Sequence, residues 1–579
     1  MGIPRFFYYC YNNFEYSIEL VKTSLPQDSF LNKDPVDFIY FDLNAIIHPV
    51  CQKVFKYGSH EDTSVLRPKP VRVTATKIQE VYQKVCEEIE KYVNIVKPSQ
   101  GVFIAIDGVA GMSKCTQQRQ RRFRSYIEGA NKTDKNEKFD KIDKFDPNCI
   151  STGTIFMDKL GKYIDNFLKN KLTSEWKQYE IIFSNDKVPG EGEHKILKHL
   201  KLNEEISGLV VSPDADLFML CLGCLNLNSD IKKERNIYVM RENIYTNVDC
   251  LYFIVKINSL AKEIVTKVTS GSESAKNENI DRVIKDFIFF CFMLGNDFLP
   301  NIPCIDLSHK GLDLLFDVYS RTIQNHGLII SNSVINKDAF VFMLKEISNL
   351  EHSVLVNKYK SKYGGNDPFI TKCCEDQSGD KIDMQKYRKM YYLNKVNNEG
   401  VSVNELCKEY IRGMIFVFKY YIDTIPSWTW CFKYHFAPFA GDLARVIEED
   451  EEVLFQRFIR GSSMSTISQL MCILPPKSKK LLPECLQKYY EKTDETLGKW
   501  MQDEVEIDCD FKMNEYEGIV KLPFIEYKDF EDVLKKEEKN LTTIENSRNT
   551  KGKIFVYYQE ENPDTKQMEC VVEMVNPSI

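Results

Sequence analysis

The stretch "VDFIYFDLN", residues 36–44, sets the unbroken apolar run Phe38–Phe41 between Asp37 and Asp42. Four contiguous apolar residues have neither the 3.6-residue period of a surface helix nor the alternation of a half-exposed strand. Bounded by polar residues, they read as a short strand buried on both faces, as in a parallel sheet. Three further runs have the same form: "GVFIAID" (101–107), "YEIIFSN" (179–185) and "SGLVVSPDAD" (207–216). Helix-patterned segments separate them. This alternation predicts an α/β fold with a mixed, mostly parallel central sheet flanked by helices.

Three of the four runs close on acids: Asp42, Asp107, and the pair Asp214 and Asp216. In an open α/β sheet, side chains beyond the carboxyl ends of the strands line one crevice, so these acids are expected to converge. "VPGEGEHKI" (188–196) follows the third run and adds Glu191 and Glu193, and "FMLGNDFLP" (292–300) supplies Asp297 after a helix that ends at Gly295. Taken singly, any of these is an ordinary strand-end or helix-cap residue. Seven together repel one another unless hard cations neutralise them. An oxygen-only donor set suits Mg²⁺, with Mn²⁺ able to substitute. The reading is a site for two ions that supports in-line phosphoryl displacement.

The chain has 579 residues, 43% of them hydrophobic and 28% charged, and no run of eighteen apolar residues. No membrane span is expected, and no secretory h-region opens the chain, so a cytoplasmic protein is expected. The eighteen cysteines are irregularly spaced, and "CLGC" (221–224) has no second pair at zinc spacing, so thiols rather than disulfides or a zinc site are expected. Two main parts are predicted. An N-terminal part covers 1–352, a polar, glycine-bearing linker 353–383, and a mostly helical part 384–579.

The formal charge of −7 disfavours unspecific coating of nucleic acid, but residues 111–127 hold five basic residues and no acid. Read as a helix, "GMSKCTQQRQRRFRSY" (111–126) places Lys114, Gln118, Arg121 and Arg122 on one face, a candidate phosphate pocket beside Asp107. Arg119 is expected to point away from that face and Arg124 to flank it.

"MGIPRFF", "YFDLNAIIHP", "FIAIDGVA", "QQRQRRFRS", "VPGEGEHKI", "DADLFML", "CFMLGNDFLP", "SWTWCFKYHFAPFAGDL" and "KLPFIE" follow one another in an order that covers nearly the whole chain. Together they resemble the XRN-type 5′-to-3′ exoribonucleases. The resemblance implies a 5′-nuclease (PIN-like) core in which the seven acids bind two Mg²⁺. It further implies that Lys114, Gln118, Arg121 and Arg122 grip a 5′-monophosphate, and that His48 stacks on the RNA bases with Trp428 or Trp430 as partner. The substrate implied is single-stranded RNA with a 5′-monophosphate, hydrolysed to nucleoside 5′-monophosphates during RNA decay by a monomer that works with a decapping machinery. Gly111 and Met112 depart from the proline and arginine usual in relatives, in a loop that helps exclude duplex. The chain also stops soon after the second conserved region, which reads as a compact member of the family, cellular or virus-encoded. A 5′-flap or DNA nuclease and an inactive RNA-binding scaffold are the alternatives. His194 and His435 read as packing residues, and Trp430 as either packing or stacking.

Overall fold

The computed structural model describes residues 5–22, 35–57, 71–133, 144–227, 235–243, 248, 250–269, 279–305, 307, 310–331, 334–361, 367–375, 379–396, 400–491, 493–502, 504–512, 517–562 and 568–577. Among the described residues there are thirteen strands: β1 (Ile18–Val21), β2 (Phe38–Asp42), β3 (Gly101–Ala105), β4 (Glu180–Ser184), β5 (Gly208–Val211), β6 (Ile237–Glu242), β7 (Tyr252–Lys256), β8 (Ile330–Ser331), β9 (Val334–Ile335), β10 (Glu506–Asp508), β11 (Ile519–Lys521), β12 (Ile554–Glu561) and β13 (Met568–Val575). Nine of them form one sheet in the order β1-β7-β6-β5-β2-β3-β4-β12-β13. The central five, β6-β5-β2-β3-β4, are parallel, and the flanking pairings are antiparallel. All four runs read as buried parallel strands lie side by side at the centre, with every residue of β2, β3 and β5 buried.

One face of the sheet is covered by the helices Asn44–Phe55, Ala75–Val96 and Ile155–Thr173, whose apolar stripes share a core with Ile39, Phe41, Ile104 and Ile181. On the other face, Phe38, Tyr40 and Phe103 join a larger core that runs through the helices Gly192–Leu202, Ile257–Thr269 and Ile280–Cys291. That core continues without a break into Lys337–Lys360, Val403–Ile422 and Ala440–Glu449. A third core seats Val109, Ala110, Met112 and Cys115 against residues 464–541. The helix Met112–Thr133 therefore lies between the sheet and the C-terminal part of the chain.

Two sequence-based expectations differ from this architecture. Position 353, read as the start of a polar linker, lies inside the helix Lys337–Lys360, where Glu351, Leu355 and Lys358 are buried on one face. The mostly helical part also ends in a hairpin, β12–β13, that joins the sheet beside β4. No disulfide joins any of the eighteen cysteines, and among the described residues no helix is long and apolar enough to cross a membrane.

Candidate active site

The acids are delivered by chain geometry at the carboxyl edge of the parallel strands. Asp42 is the last residue of β2, and Asp107 lies two residues beyond β3. Glu191 caps the helix Gly192–Leu202, with Glu193 in its first turn. The loops that follow β3 and β4 are laced together, Gly108 N donating to Gly190 O at 2.9 Å and Gly190 N to Val109 O at 2.7 Å. A Cβ on Gly108 would lie 1.8 Å from the Val188 carbonyl oxygen, and one on Gly192 would lie 2.9 Å from Asp42 Oδ1, so only glycine permits this approach. Asp107 accepts hydrogen bonds from Gly192 N at 2.7 Å and Asn44 Nδ2 at 2.6 Å. Asp214 and Asp216 follow β5, and Ser212 Oγ reaches Asp42 Oδ2 at 3.4 Å and Asp214 N at 3.3 Å.

Electrostatics shows that the seven acids share one neighbourhood. Burial, and then the carboxylates of Asp107, Asp214 and Asp216, hold the Asp42 carboxyl well above the usual range. Burial and Asp216 raise Glu193 in the same way, and burial and Glu191 raise Asp107. Asp297 goes down. Burial pushes its carboxyl up, but the Lys114 ammonium, hydrogen-bonded to it at 3.0 Å, and the Arg121 charge contribute to a net shift down. Lys114 also lies 2.7 Å from Glu191 and 3.9 Å from Glu193, and these acids overcome its burial to raise its own affinity for the proton.

Tyr420, from the helix Val403–Ile422, donates its hydroxyl to Glu191 and sits over the ring of His194 at 4.0 Å. Sequence reasoning missed it, because a tyrosine on the apolar face of a helix looks like core. Asn44 was also missed, although it stands two residues past Asp42 in the opening stretch. Its Oδ1 is buried and accepts no hydrogen bond, while its amide holds Asp107. His194 packs against Tyr420, with its Nδ1 buried and without a hydrogen-bond partner among the described residues. Burial keeps it neutral down to about pH 4, and its Nε2 lies 3.1 Å from the Tyr420 carbonyl oxygen.

The basic helix divides differently from its sequence reading. Lys114 reaches into the acids, one turn before the others. Arg121 is exposed, whereas Arg122 Nη1 and Gln118 Oε1 are buried with no hydrogen-bond partner. Burial, followed by Arg121 and Arg122, lowers the His48 pKa to about 4, so the imidazole is a neutral ring beside both guanidiniums. Arg119, expected to point idly away, is only 2% exposed and donates to the carbonyl oxygens of Cys472, at 2.8 Å, and Trp500. Its face meets the C-terminal part, not solvent. Arg124 likewise donates to Gly518 O at 2.8 Å.

The two tryptophans expected to stack differ in exposure. Trp428 is 6% exposed, and Trp430 packs on Phe416 with ring centroids 4.3 Å apart and on Phe458 at 6.0 Å. Trp430 itself remains partly exposed. Trp428 instead uses its backbone, accepting from Met112 N at 2.9 Å, which fixes the start of the basic helix. Gly111 belongs to the same joint, because a Cβ there would lie 2.6 Å from Ile425 Cδ1.

A family model for the XRN 5′-3′ exonuclease N-terminus matches residues 1–243, and one for the Xrn1 helical domain matches 277–386 and 370–577. The chain belongs to the XRN 5′-3′ exonuclease family. It is similar to 5′-3′ exoribonuclease 1 of Homo sapiens, 25% identical over 97% of this chain and 36% of the relative. The corresponding protein of Saccharomyces cerevisiae is 24% identical over 96% of this chain and 44% of its own length. Against 5′-3′ exoribonuclease 2 of Arabidopsis thaliana the identity is 26%, over 95% and 68%. The chain thus spans less than half the length of the first two. The catalytic core of Rad2 in complex with DNA substrate aligns over 79% of this chain and 96% of its own at 12% identity, with a TM-score of 0.29 that carries no argument. In this XRN chain the acid cluster lies where the two matched spans meet: Lys114 and Glu191 come from the first, Asp297 and Tyr420 from the second.

Proposed function

We propose that the chain is a divalent-metal-dependent 5′-to-3′ exoribonuclease, which hydrolyses single-stranded RNA carrying a 5′-monophosphate and releases nucleoside 5′-monophosphates. The observation that carries this reading is a cluster of mutually repelling carboxylates beside Arg122, whose Nη1 is buried with no hydrogen-bond acceptor among the described residues. The first calls for cations and the second for an anion.

The donor set fits two Mg²⁺ ions: carboxylate oxygens from Asp42, Asp107, Glu191, Glu193, Asp214, Asp216 and Asp297, with the unsatisfied Asn44 Oδ1 behind Asp107. Glu191, Glu193 and His194 each offer a ligand atom, all within 4.8 Å of one another. Bound there, the ions would supply Lewis acidity and a water activated as nucleophile. The chain's own residues do the rest. Asn44 and Gly192 N fix the orientation of Asp107, and Tyr420 fixes Glu191. Lys114 limits the repulsion among the acids before cations arrive. Arg121, Arg122 and Gln118 hold the terminal phosphate, with a guanidinium able to grip two oxygens at once. His48, uncharged at neutral pH, offers a flat ring to an unpaired base.

A 5′-monophosphate is what decapping leaves on an mRNA, so a decapping activity is the class of reaction that supplies this substrate. The absence of disulfides among eighteen cysteines suits a reducing, cytoplasmic setting. The test uses one RNA with a 5′-monophosphate, a 5′-triphosphate or a 5′-hydroxyl, in linear and circular forms. Stepwise release of mononucleotides in Mg²⁺, at least tenfold faster from the monophosphate and lost in Asp214→Ala, is expected. Cleavage of the circle, or equal rates on DNA flaps, would replace this reading with an endonuclease or flap nuclease.

A further inference from the structure

Away from the acids and the basic helix, a cavity of about 50 Å³ opens between the loop after Asp297, the helices Lys337–Lys360 and Met384–Tyr391, and residues 510–512 with Ile519. Among its lining residues are Asn301, Cys304, Lys358, Tyr391, Phe511 and Lys512, none of which takes part in the site described above.

Lys358 is the unusual member. It is 8% exposed, yet among the described residues its ammonium has no carboxylate within ion-pair distance and no hydrogen-bond acceptor. The Phe511 ring lies 5.5 Å from it. The acid on the cavity wall, Asp510, is committed elsewhere, 2.6 Å from Lys395, which holds Asp508 at the same distance. Lys512 brings a second ammonium to the wall, where it donates to Asn301 Oδ1 at 3.2 Å. The ammonium therefore faces the cavity, and the one aromatic face beside it is a weak partner for a cation. Two non-glycine residues of the wall, Cys304 at φ +70° and Phe511 at φ +65°, also hold left-handed backbone, which for a bulky phenylalanine is strained. Strain of this kind concentrates at ligand clamps.

We propose that this cavity is a second ligand site, one that takes a phosphate monoester. Its phosphoryl group would lie between Lys358 and Lys512, with the body of the ligand at the mouth against Phe511. Two ammonium groups match a dianion better than a single carboxylate, and the volume accommodates one tetrahedral oxyanion. Lysine is a compact point charge suited to phosphate. The aromatic wall favours a planar body, which makes a nucleoside monophosphate the fullest ligand. That choice of nucleotide, the proposed product, is the one part that rests on the exonuclease reading. Occupancy would bear on catalysis, because Asn301 N packs 2.9 Å from where a Cβ of Gly295 would stand, two residues before Asp297.

The test is equilibrium dialysis of radiolabelled adenosine 5′-monophosphate against the full chain in EDTA, where no hydrolysis is needed, so its outcome is independent of the exonuclease assay. Saturable binding is expected, displaced by inorganic phosphate but not by adenosine, weakened at least tenfold by Lys358→Met and unchanged by Lys345→Met on the exposed face of the same helix. Methionine keeps the stem and removes an unpaired charge, so the melting temperature should not fall. Should Lys358→Met fail to fold, Lys512→Met on the same wall should weaken binding at least threefold. Absence of saturable binding at millimolar nucleotide overturns the proposal. So does displacement by adenosine as effective as that by phosphate, or loss of binding in Arg121→Ala with retention in Lys358→Met.

Discussion

Arg119 and Arg121 stand two positions apart on one helix and meet opposite surroundings. The guanidinium of Arg119 is sealed between two main-chain carbonyls of the C-terminal part, and burial lowers its pKa to about 10. Arg119→Ala would leave those carbonyls unpaired around a cavity, so a loss of about 3 kcal/mol or more is expected, read as a lower denaturation midpoint. Arg121→Ala should change stability by less than about 0.5 kcal/mol, since its side chain is exposed. It should instead reduce the preference for a 5′-monophosphate end about tenfold in competition between end-labelled RNAs. His199 supplies a prediction for pH. It is packed among Phe38, Tyr40 and Phe103, and burial, then Arg235, lowers its pKa to about 4 from 6.5. Between pH 6.5 and 4 the unfolded chain takes up this proton and the folded chain does not, so the imidazole lowers stability as the pH falls through that window. His199→Gln should therefore flatten the fall in melting temperature over pH 6.5 to 4, by about 2 kcal/mol at the acid end. An unchanged slope would show that His199 protonates in the folded state.

At the scale of elements, the acids were legible because each closes an apolar run or opens a helix, and chain direction in a parallel sheet carries such positions to one edge. Asp297 was legible for a different reason, a glycine that stops a helix just before it. Tyr420 carries no such mark. Its helix reads as an amphipathic core helix with a capping box at Ser402, and nothing in its periodicity distinguishes a hydroxyl that meets Glu191 from one that merely packs. The indoles of "SWTW" carry no mark of their burial either, since exposed and buried tryptophans look alike until Phe416 and Phe458 are seen against Trp430. Polar composition hid the last turns of Lys337–Lys360, although Leu355 and Lys358 keep the helix period on its buried face. Tyr420→Phe removes one hydroxyl and keeps the ring, so the fold should persist while Glu191 loses its orienting donor. One such hydrogen bond to a carboxylate is worth about 1.5 kcal/mol or more, which predicts a fall of about tenfold or more in single-turnover hydrolysis at saturating Mg²⁺. A variant as fast as the parent would remove Tyr420 from the site.

At the scale of the whole molecule, the two sequence halves are parts of one interlocked body, because the acid cluster needs Asp297 and Tyr420 and the sheet needs the last strands. β12 covers the edge of β4 through Phe555, Val556 and Tyr557, paired with Phe183, Ile182 and Ile181. Tyr557 is fully buried and donates to Asp165 Oδ1 at 2.6 Å, and Gln559 Nε2 reaches Leu172 O at 2.8 Å. Ending the chain after Gly552 would remove these bonds and leave β4 as a bare edge lined by apolar residues, a template for pairing with another molecule. Burial of Tyr557 and Phe555 contributes several kcal/mol, at roughly 25 cal/mol per Å² of apolar surface. The truncated chain is expected to melt lower by about 5 °C or more and to aggregate on heating. The acids lie at the far end of β2 and β3, across β4 from the lost hairpin, so molecules that remain folded should bind 5′-monophosphorylated RNA with the parent's affinity. The full chain should unfold in a single calorimetric transition, since one core runs from Phe6 to Leu454 through both halves. A separate low-temperature transition confined to residues 384–579 would instead mark the C-terminal part as an independent domain, and the truncation would then leave the stability of the sheet unchanged.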